Sequence, residues 1–117
     1  MGRLTTHVLD TAHGKPAAGV AIRLYHCATE GRQLLVQQVT NSDGRCATAL
    51  LQDELFTTGS YELDFAIGDY FAALGLVVPE PRFIDVVTLR FGISDANAHY
   101  HVPLLASPFS YSTYRGS

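Results

Sequence analysis

A chain of 117 residues in which 47% are hydrophobic and only 16% charged has the apolar material for one packed core, so residues 1–117 are expected to form a single domain. A net charge of −3 with eight scattered Lys and Arg residues offers no basic stripe for a phosphate backbone, and no apolar run reaches the roughly 18 residues that cross a bilayer; neither nucleic acid nor a membrane is an expected partner. The opening Met-Gly-Arg-Leu-Thr-Thr-His has no apolar signal core, and Cys27 and Cys46 lack CxxC spacing, so a cytoplasmic protein with reduced thiols is expected, without a disulfide framework or a cysteine zinc site.

In chain order the elements read as short strands. Residues 4–9, Leu-Thr-Thr-His-Val-Leu, are β-branched and apolar and carry His7; residues 10–16 follow with turn formers. Residues 21–26 alternate, with Ile22, Leu24 and His26 on one face and Ala21, Arg23 and Tyr25 on the other. Residues 33–40 form another strand, closed by the turn Asn41-Ser-Asp-Gly44, whose Asp-Gly pair tolerates positive φ, and Arg45 follows at once. Residues 59–67 show the most regular two-residue period, setting Tyr61, Leu63, Phe65 and Ile67 against Ser60, Glu62, Asp64 and Ala66. One short helix is predicted from an Asp69 N-cap through Leu74 to a Gly75 C-cap. Pro79-Glu-Pro81 interrupts regular structure, and strands resume over 83–91 and 99–105. Seven or eight short strands with one brief helix argue for an all-β antiparallel sandwich rather than a parallel α/β sheet.

The chemistry-bearing residues sit on strand faces and ends. His99 and His101 are two apart, so on a strand both imidazoles project to one side and Tyr100 and Val102 to the other. Arg45, after a tight turn, is placed to hold an anion or a polarised carbonyl at a sheet end. His13, in a turn, and His26, on a half-buried strand, read as structural or surface residues. His7, His99 and His101 are a permissive set for zinc, but no fourth ligand is evident and Asp95 is the one carboxylate in that region; no metal or other cofactor is expected. The G-x-S-x-G elbow of serine hydrolases is absent. Histidines near a neutral pKa assisted by an arginine remain, a set sufficient to activate water against an electrophilic carbonyl. The tail, Tyr114-Arg-Gly-Ser117, puts an aromatic and an arginine where chains ordinarily fray, which argues that it is tied down.

Residues 4–10 with Gly14-Lys-Pro-Ala17, Thr40-Asn-Ser-Asp-Gly-Arg45, Gly68-Asp-Tyr-Phe71, His99-Tyr-His-Val-Pro-Leu-Leu105 and the closing Tyr114-Arg-Gly-Ser117 together resemble the 5-hydroxyisourate hydrolases, the transthyretin-related enzymes of urate degradation. The resemblance spans the chain, and the terminal tetrapeptide is its most specific mark. It implies a transthyretin-like sandwich of two four-stranded sheets, assembled as a homotetramer, a dimer of dimers with sites at the subunit interface. It assigns catalytic roles to His7, Arg45, His101 and Ser117, substrate contacts to His7, Arg45, Tyr114 and Arg115, and support to His99 and Gly116. The implied reaction is metal-free hydrolysis of 5-hydroxyisourate to 2-oxo-4-hydroxy-4-carboxy-5-ureidoimidazoline, with either His7 or His101 as the base. Ser110 departs from the family pattern, where glycine often stands between the Phe and the Tyr of the tail. The same fold also serves a hormone carrier, a small-molecule binding alternative that the terminal tetrapeptide and the His/Arg set argue against.

Overall fold

In the computed structural model, which describes residues 2–116, two β-sheets face each other across an apolar core. The strands are β1 (Arg3–Asp10), β2 (Lys15–Pro16), β3 (Ala21–Ala28), β4 (Gly31–Val39), β5 (Leu51–Gln52), β6 (Gly59–Ala66), β7 (Val86–Ile93), β8 (His99–Ala106) and β9 (Tyr111–Thr113). A single 3₁₀ turn covers Asp53–Leu55, and the helix α1 covers Ile67–Ala73. One sheet runs β4-β3-β6-β7; the other runs β2-β1-β8-β9, with β5 also paired to β1. Two-residue periodicity builds the core. Leu4 and Val8 of β1, Ile22 and Leu24 of β3, Tyr61, Leu63 and Phe65 of β6, and Tyr100, Val102 and Leu104 of β8 are all buried. Each such side chain contributes about 1.5–3 kcal/mol by leaving water. Alternation then forces the intervening residues of β1 and β8 onto the outer face of their sheet, where the histidines stand.

The pairing differs from a wholly antiparallel sandwich at one place: β1 and β8 are parallel over eight residues, from Arg3 opposite His99 to Asp10 opposite Ala106. Parallel neighbours need a long connection, and here nearly the whole chain supplies it. Because β8 takes one edge of β1, the other edge is shared by short pieces: β2 at one end, β5 at the other, and an isolated bridge between His7 and Arg45 in the middle.

The helix also starts earlier than predicted. Ile67 is the last apolar position of the β6 period and the first residue of α1; Ala66 takes the N-cap position without a side-chain cap, and Gly68 N–H donates to the Asp85 carbonyl at 2.8 Å. Asp69 therefore lies inside the first turn, where its carboxylate accepts from Arg82 Nη1 at 2.7 Å. Gly75, at φ +89°, ends the helix as expected, its N–H donating to the Ala72 carbonyl. Strand β7 begins at Val86 rather than 83. Arg82 reaches Asp69, Glu80 and Asp85, and that clamp holds the preceding segment off the sheet, leaving Phe83 against Phe109 with ring centroids 6.3 Å apart.

At the far end of β1 the buried carboxylate of Asp10 accepts from Tyr70 Oη at 2.8 Å and from His13 Nδ1 at 2.7 Å, tying β1 to α1. His13 is thus structural. So is His26, whose ring packs edge-on against Tyr61 at 5.3 Å.

Candidate functional site

The parallel register sets Thr5 opposite His101 and His7 opposite Pro103, so Thr5, His7, His99 and His101 share the outer face. Both histidines of the His-x-His pair converge on one hydroxyl: Thr5 Oγ1 lies 2.9 Å from His99 Nε2 and 2.8 Å from His101 Nδ1. The chain's last described residues return alongside β8. Gly116 N–H donates to the His101 carbonyl at 2.7 Å, and His101 N–H to the Gly116 carbonyl at 3.3 Å. The approach is close, since a Cβ on Gly116 would stand 3.1 Å from Cδ2 of the His101 ring. Through Gly116 the described part of the tail is tied to β8.

The turn after β4 delivers the cation. Asn41 Oδ1 accepts from the backbone N–H groups of Asp43 at 2.9 Å and Arg45 at 3.2 Å, and Gly44 adopts φ +75°. That turn docks onto β1 through Val8 N–H donating to the Gly44 carbonyl at 2.8 Å. It therefore presents two groups at once: Arg45 beside His7, and the Asp43 carbonyl, 2.9 Å from His7 Nε2. A carbonyl only accepts, so Nε2 of His7 carries the proton and, in the neutral ring, Nδ1 is bare. A cleft of about 420 Å³ opens between these elements, lined by Arg3, Thr5, Arg45, Cys46, His99 and His101, with residues 47–49 completing one wall.

Burial and the Arg45 guanidinium, in that order, hold His7 below the ordinary imidazole pKa, against an opposing pull from the Asp43 carbonyl and charge. His101 is also depressed, first by burial, then by Arg45 and by the neighbouring His7 and His99. Both shifts favour the neutral ring, the form that can take a proton, beside a fixed positive charge that can hold an anionic oxygen. Burial raises the Cys46 thiol, which makes it a poor nucleophile.

A sequence model of the HIUase/Transthyretin family matches residues 4–116. The chain belongs to that family. It is 61% identical to the 5-hydroxyisourate hydrolase of Ralstonia nicotianae over the full length of both chains. Among solved structures it superposes on Klebsiella pneumoniae 5-hydroxyisourate hydrolase with a TM-score of 0.83 and 32% identity, covering all of both chains. It superposes on (S)-allantoin synthase with a TM-score of 0.94 and 47% identity, covering 99% of this chain and 44% of that longer one.

Of the residues expected at the site, the fold brings His7, Arg45, His99, His101 and Gly116 together. Tyr114 and Arg115 turn toward β7 within the chain: Arg115 Cζ stacks 4.0 Å from the centroid of the Tyr100 ring and its Nη2 donates to the His99 carbonyl at 3.4 Å, and both residues line a separate cleft of about 310 Å³ against Leu89 and Phe91 of β7. Ser117 lies outside the described residues. Among the described residues no three His, Cys, Asp or Glu side chains gather into a group that could hold a metal ion. Sequence reading missed Thr5, although the alternation that paired His99 with His101 also puts Thr5 on the face of His7. It missed the Asp43 carbonyl entirely, because a backbone group has no sequence signature.

Proposed function

We propose that this family member hydrolyses 5-hydroxyisourate to 2-oxo-4-hydroxy-4-carboxy-5-ureidoimidazoline in urate degradation, through water activated by His7 and His101 beside Arg45. The observation that carries the mechanism is the placement of two imidazoles of depressed pKa on one sheet face with Arg45 of the neighbouring turn beside them. Water adds to a ring carbonyl carbon, the adjacent C–N bond breaks, and the acyl carbon leaves as a carboxylate. One histidine takes the proton of the attacking water and, as the imidazolium so formed, returns it to the departing nitrogen, while the other holds the substrate in place; acid–base steps of this kind contribute on the order of 10² to 10⁴ in rate. Arg45 holds the oxygens on which negative charge develops, where a fixed cation in a partly dry cleft acts most strongly. No step calls on a metal or other cofactor.

The assembly we propose is a homotetramer, a dimer of dimers, acting in the cytoplasm. Two features support association between copies. Among the described residues β7 and β9 end their sheets with unpaired edges, and Phe109, Tyr111 and Tyr114 expose large aromatic surfaces around β9. In such an assembly Tyr114, Arg115 and Ser117 of one copy would complete a cleft of another, the reading under which their substrate and catalytic roles stand.

Forming 5-hydroxyisourate in place with urate oxidase and following its ultraviolet decay tests the activity directly. The chain should accelerate that decay, and His101→Asn should abolish the acceleration while leaving the sedimentation behaviour unchanged. No acceleration by the unmodified chain would overturn the activity, and near-normal turnover by the variant would overturn the role of His101.

A further inference from the structure

Thr5 carries a single hydroxyl proton between two imidazole nitrogens, His99 Nε2 at 2.9 Å and His101 Nδ1 at 2.8 Å. Among the described residues these two are the hydrogen-bond partners of its side chain. A hydroxyl gives one proton and accepts through its lone pairs. If both ring nitrogens were bare, one would face the oxygen lone pair to lone pair; if both carried protons, the hydroxyl proton would have no acceptor. Either mismatch, half-buried, is costly. The stable arrangement has one ring donating to Thr5 and the other accepting from it.

We propose that Thr5 is a positioning residue that couples the tautomers of His99 and His101 and so determines whether Nε2 of His101 meets the cleft bare or protonated. When Thr5 accepts from Nδ1–H of His101, Nε2 is bare and takes a proton from water. When Thr5 donates to Nδ1, Nε2 carries the ring's one proton and meets the cleft as a hydrogen-bond donor; the acid is the imidazolium that forms once a bare Nε2 has taken the water's proton. His99 always holds the complementary state, which gives the first histidine of the pair a function without contact to the reacting atoms. The fold supports this precision. Thr5 is fixed opposite His101 by the parallel register. Its β-branched side chain has few rotamers. Gly116 closes over the His101 ring from the other side. The charged and titratable groups acting on His101 are Arg45 from the turn after β4, His7 from β1 and His99 from its own strand, and of these the hydroxyl bridges His101 to His99. The proposal rests on the reading of His101 as a catalytic residue.

The test compares Thr5→Val, which keeps the shape and removes the hydroxyl, with Thr5→Ser, which keeps the hydroxyl. Thr5→Val should lower kcat about fivefold to tenfold with KM little changed. It should also displace the pH profile, and Thr5→Ser should recover most of the loss. His99→Ala should displace the pH profile too, and adding it to Thr5→Val should bring little further change. A normal kcat and pH profile in Thr5→Val, with His101→Asn inactive, overturns this proposal alone; activity in His101→Asn overturns the reading beneath it. Equal loss in the Ser and Val variants would mark a packing role and also overturn it. Nitrogen-15 shifts of the unmodified protein provide a check independent of any variant. At a pH about two units above the ordinary imidazole pKa, His99 Nε2 and His101 Nδ1 should share one proton between them, and two protons or none would overturn the coupling.

Discussion

Gly44→Ala offers a sharp test of how the fold presents Arg45. Gly44 sits at φ +75°, and a Cβ there would run into the Val8 carbonyl oxygen. An L-residue in that conformation costs about 1–2 kcal/mol by itself. That contact is well inside the roughly 3.3 Å at which carbon meets a carbonyl oxygen comfortably, and the oxygen belongs to backbone that cannot swing aside. The turn must therefore move away from β1, and the 2.8 Å bond from Val8 N–H to the Gly44 carbonyl goes with it, about 1 kcal/mol more. The sum is about 2–3 kcal/mol, a fall in Tm of roughly 10 °C for a domain of this size. Arg45 and the Asp43 carbonyl ride on the same turn, so kcat/KM should drop toward the roughly 100-fold that a 1 Å misplacement costs.

Gly14→Ala is the matched control. Gly14 has a similar φ of +66° with nothing within 4 Å of its Cβ position, and it precedes β2, away from Arg45. It should lose only the conformational part of the stability, about 1 kcal/mol, and keep full activity. Thermal unfolding at one fixed chain concentration and ultraviolet decay of 5-hydroxyisourate read both quantities; the fixed concentration removes differences due to assembly. Normal stability and turnover in Gly44→Ala, or equal losses in the two variants, would refute the reasoning.

Three further outcomes follow from the charges. Because folding holds His7 and His101 below their ordinary pKa of 6.5, the unfolded chain binds more protons below that pH; stability and kcat/KM should both fall as the pH drops beneath 6.5. Arg45→Gln should raise both histidine pKa values toward 6.5, seen by NMR titration, and an unchanged titration would remove Arg45 from the electrostatics of the site. At Asp10, burial pushes the carboxyl up but hydrogen bonds from Tyr70 and His13 more than offset it, leaving it below its ordinary value. Asp10→Asn should cost about 1.5–3 kcal/mol in urea unfolding, because it takes the charge from these bonds and turns an NH2 toward one of the donors, and Tyr70→Phe less, because it removes one bond and leaves that from His13.

What could be read from the sequence was what depends on neighbours in the chain. The period of two placed His99 and His101 on one face, and Asn-Ser-Asp-Gly announced the turn that aims Arg45, since both follow from local backbone geometry. The start of α1 was misplaced because Ile67 satisfies the strand period and the helix alike, while the polar side chain that resembled a cap, Asp69, has its partner thirteen residues away in Arg82. The parallel pairing of β1 with β8 joins residues 96 positions apart, Thr5 with His101, and no local pattern encodes a partner at that distance. The convergence on Thr5 was invisible for the same reason.

That pairing is also what makes the site. In a parallel pair every residue of β1 has a fixed counterpart on β8, and the pleat spaces same-face residues by two positions, roughly 6.6 Å. Thr5 between His99 and His101, and His7 one repeat farther on, are therefore placed by the core residues between them: Leu4, Thr6 and Val8 on one strand, Tyr100 and Val102 on the other, all buried. A one-residue slip of β8 would turn both imidazoles into the core and the Tyr100 ring out to water. The free edge of β1 then decides what faces the histidines, because β2 and β5 occupy only its ends and leave the middle to Arg45. Packing the sandwich and assembling the cleft are thus one constraint: substitutions that loosen the register of β1 against β8 should lose activity before they lose the fold.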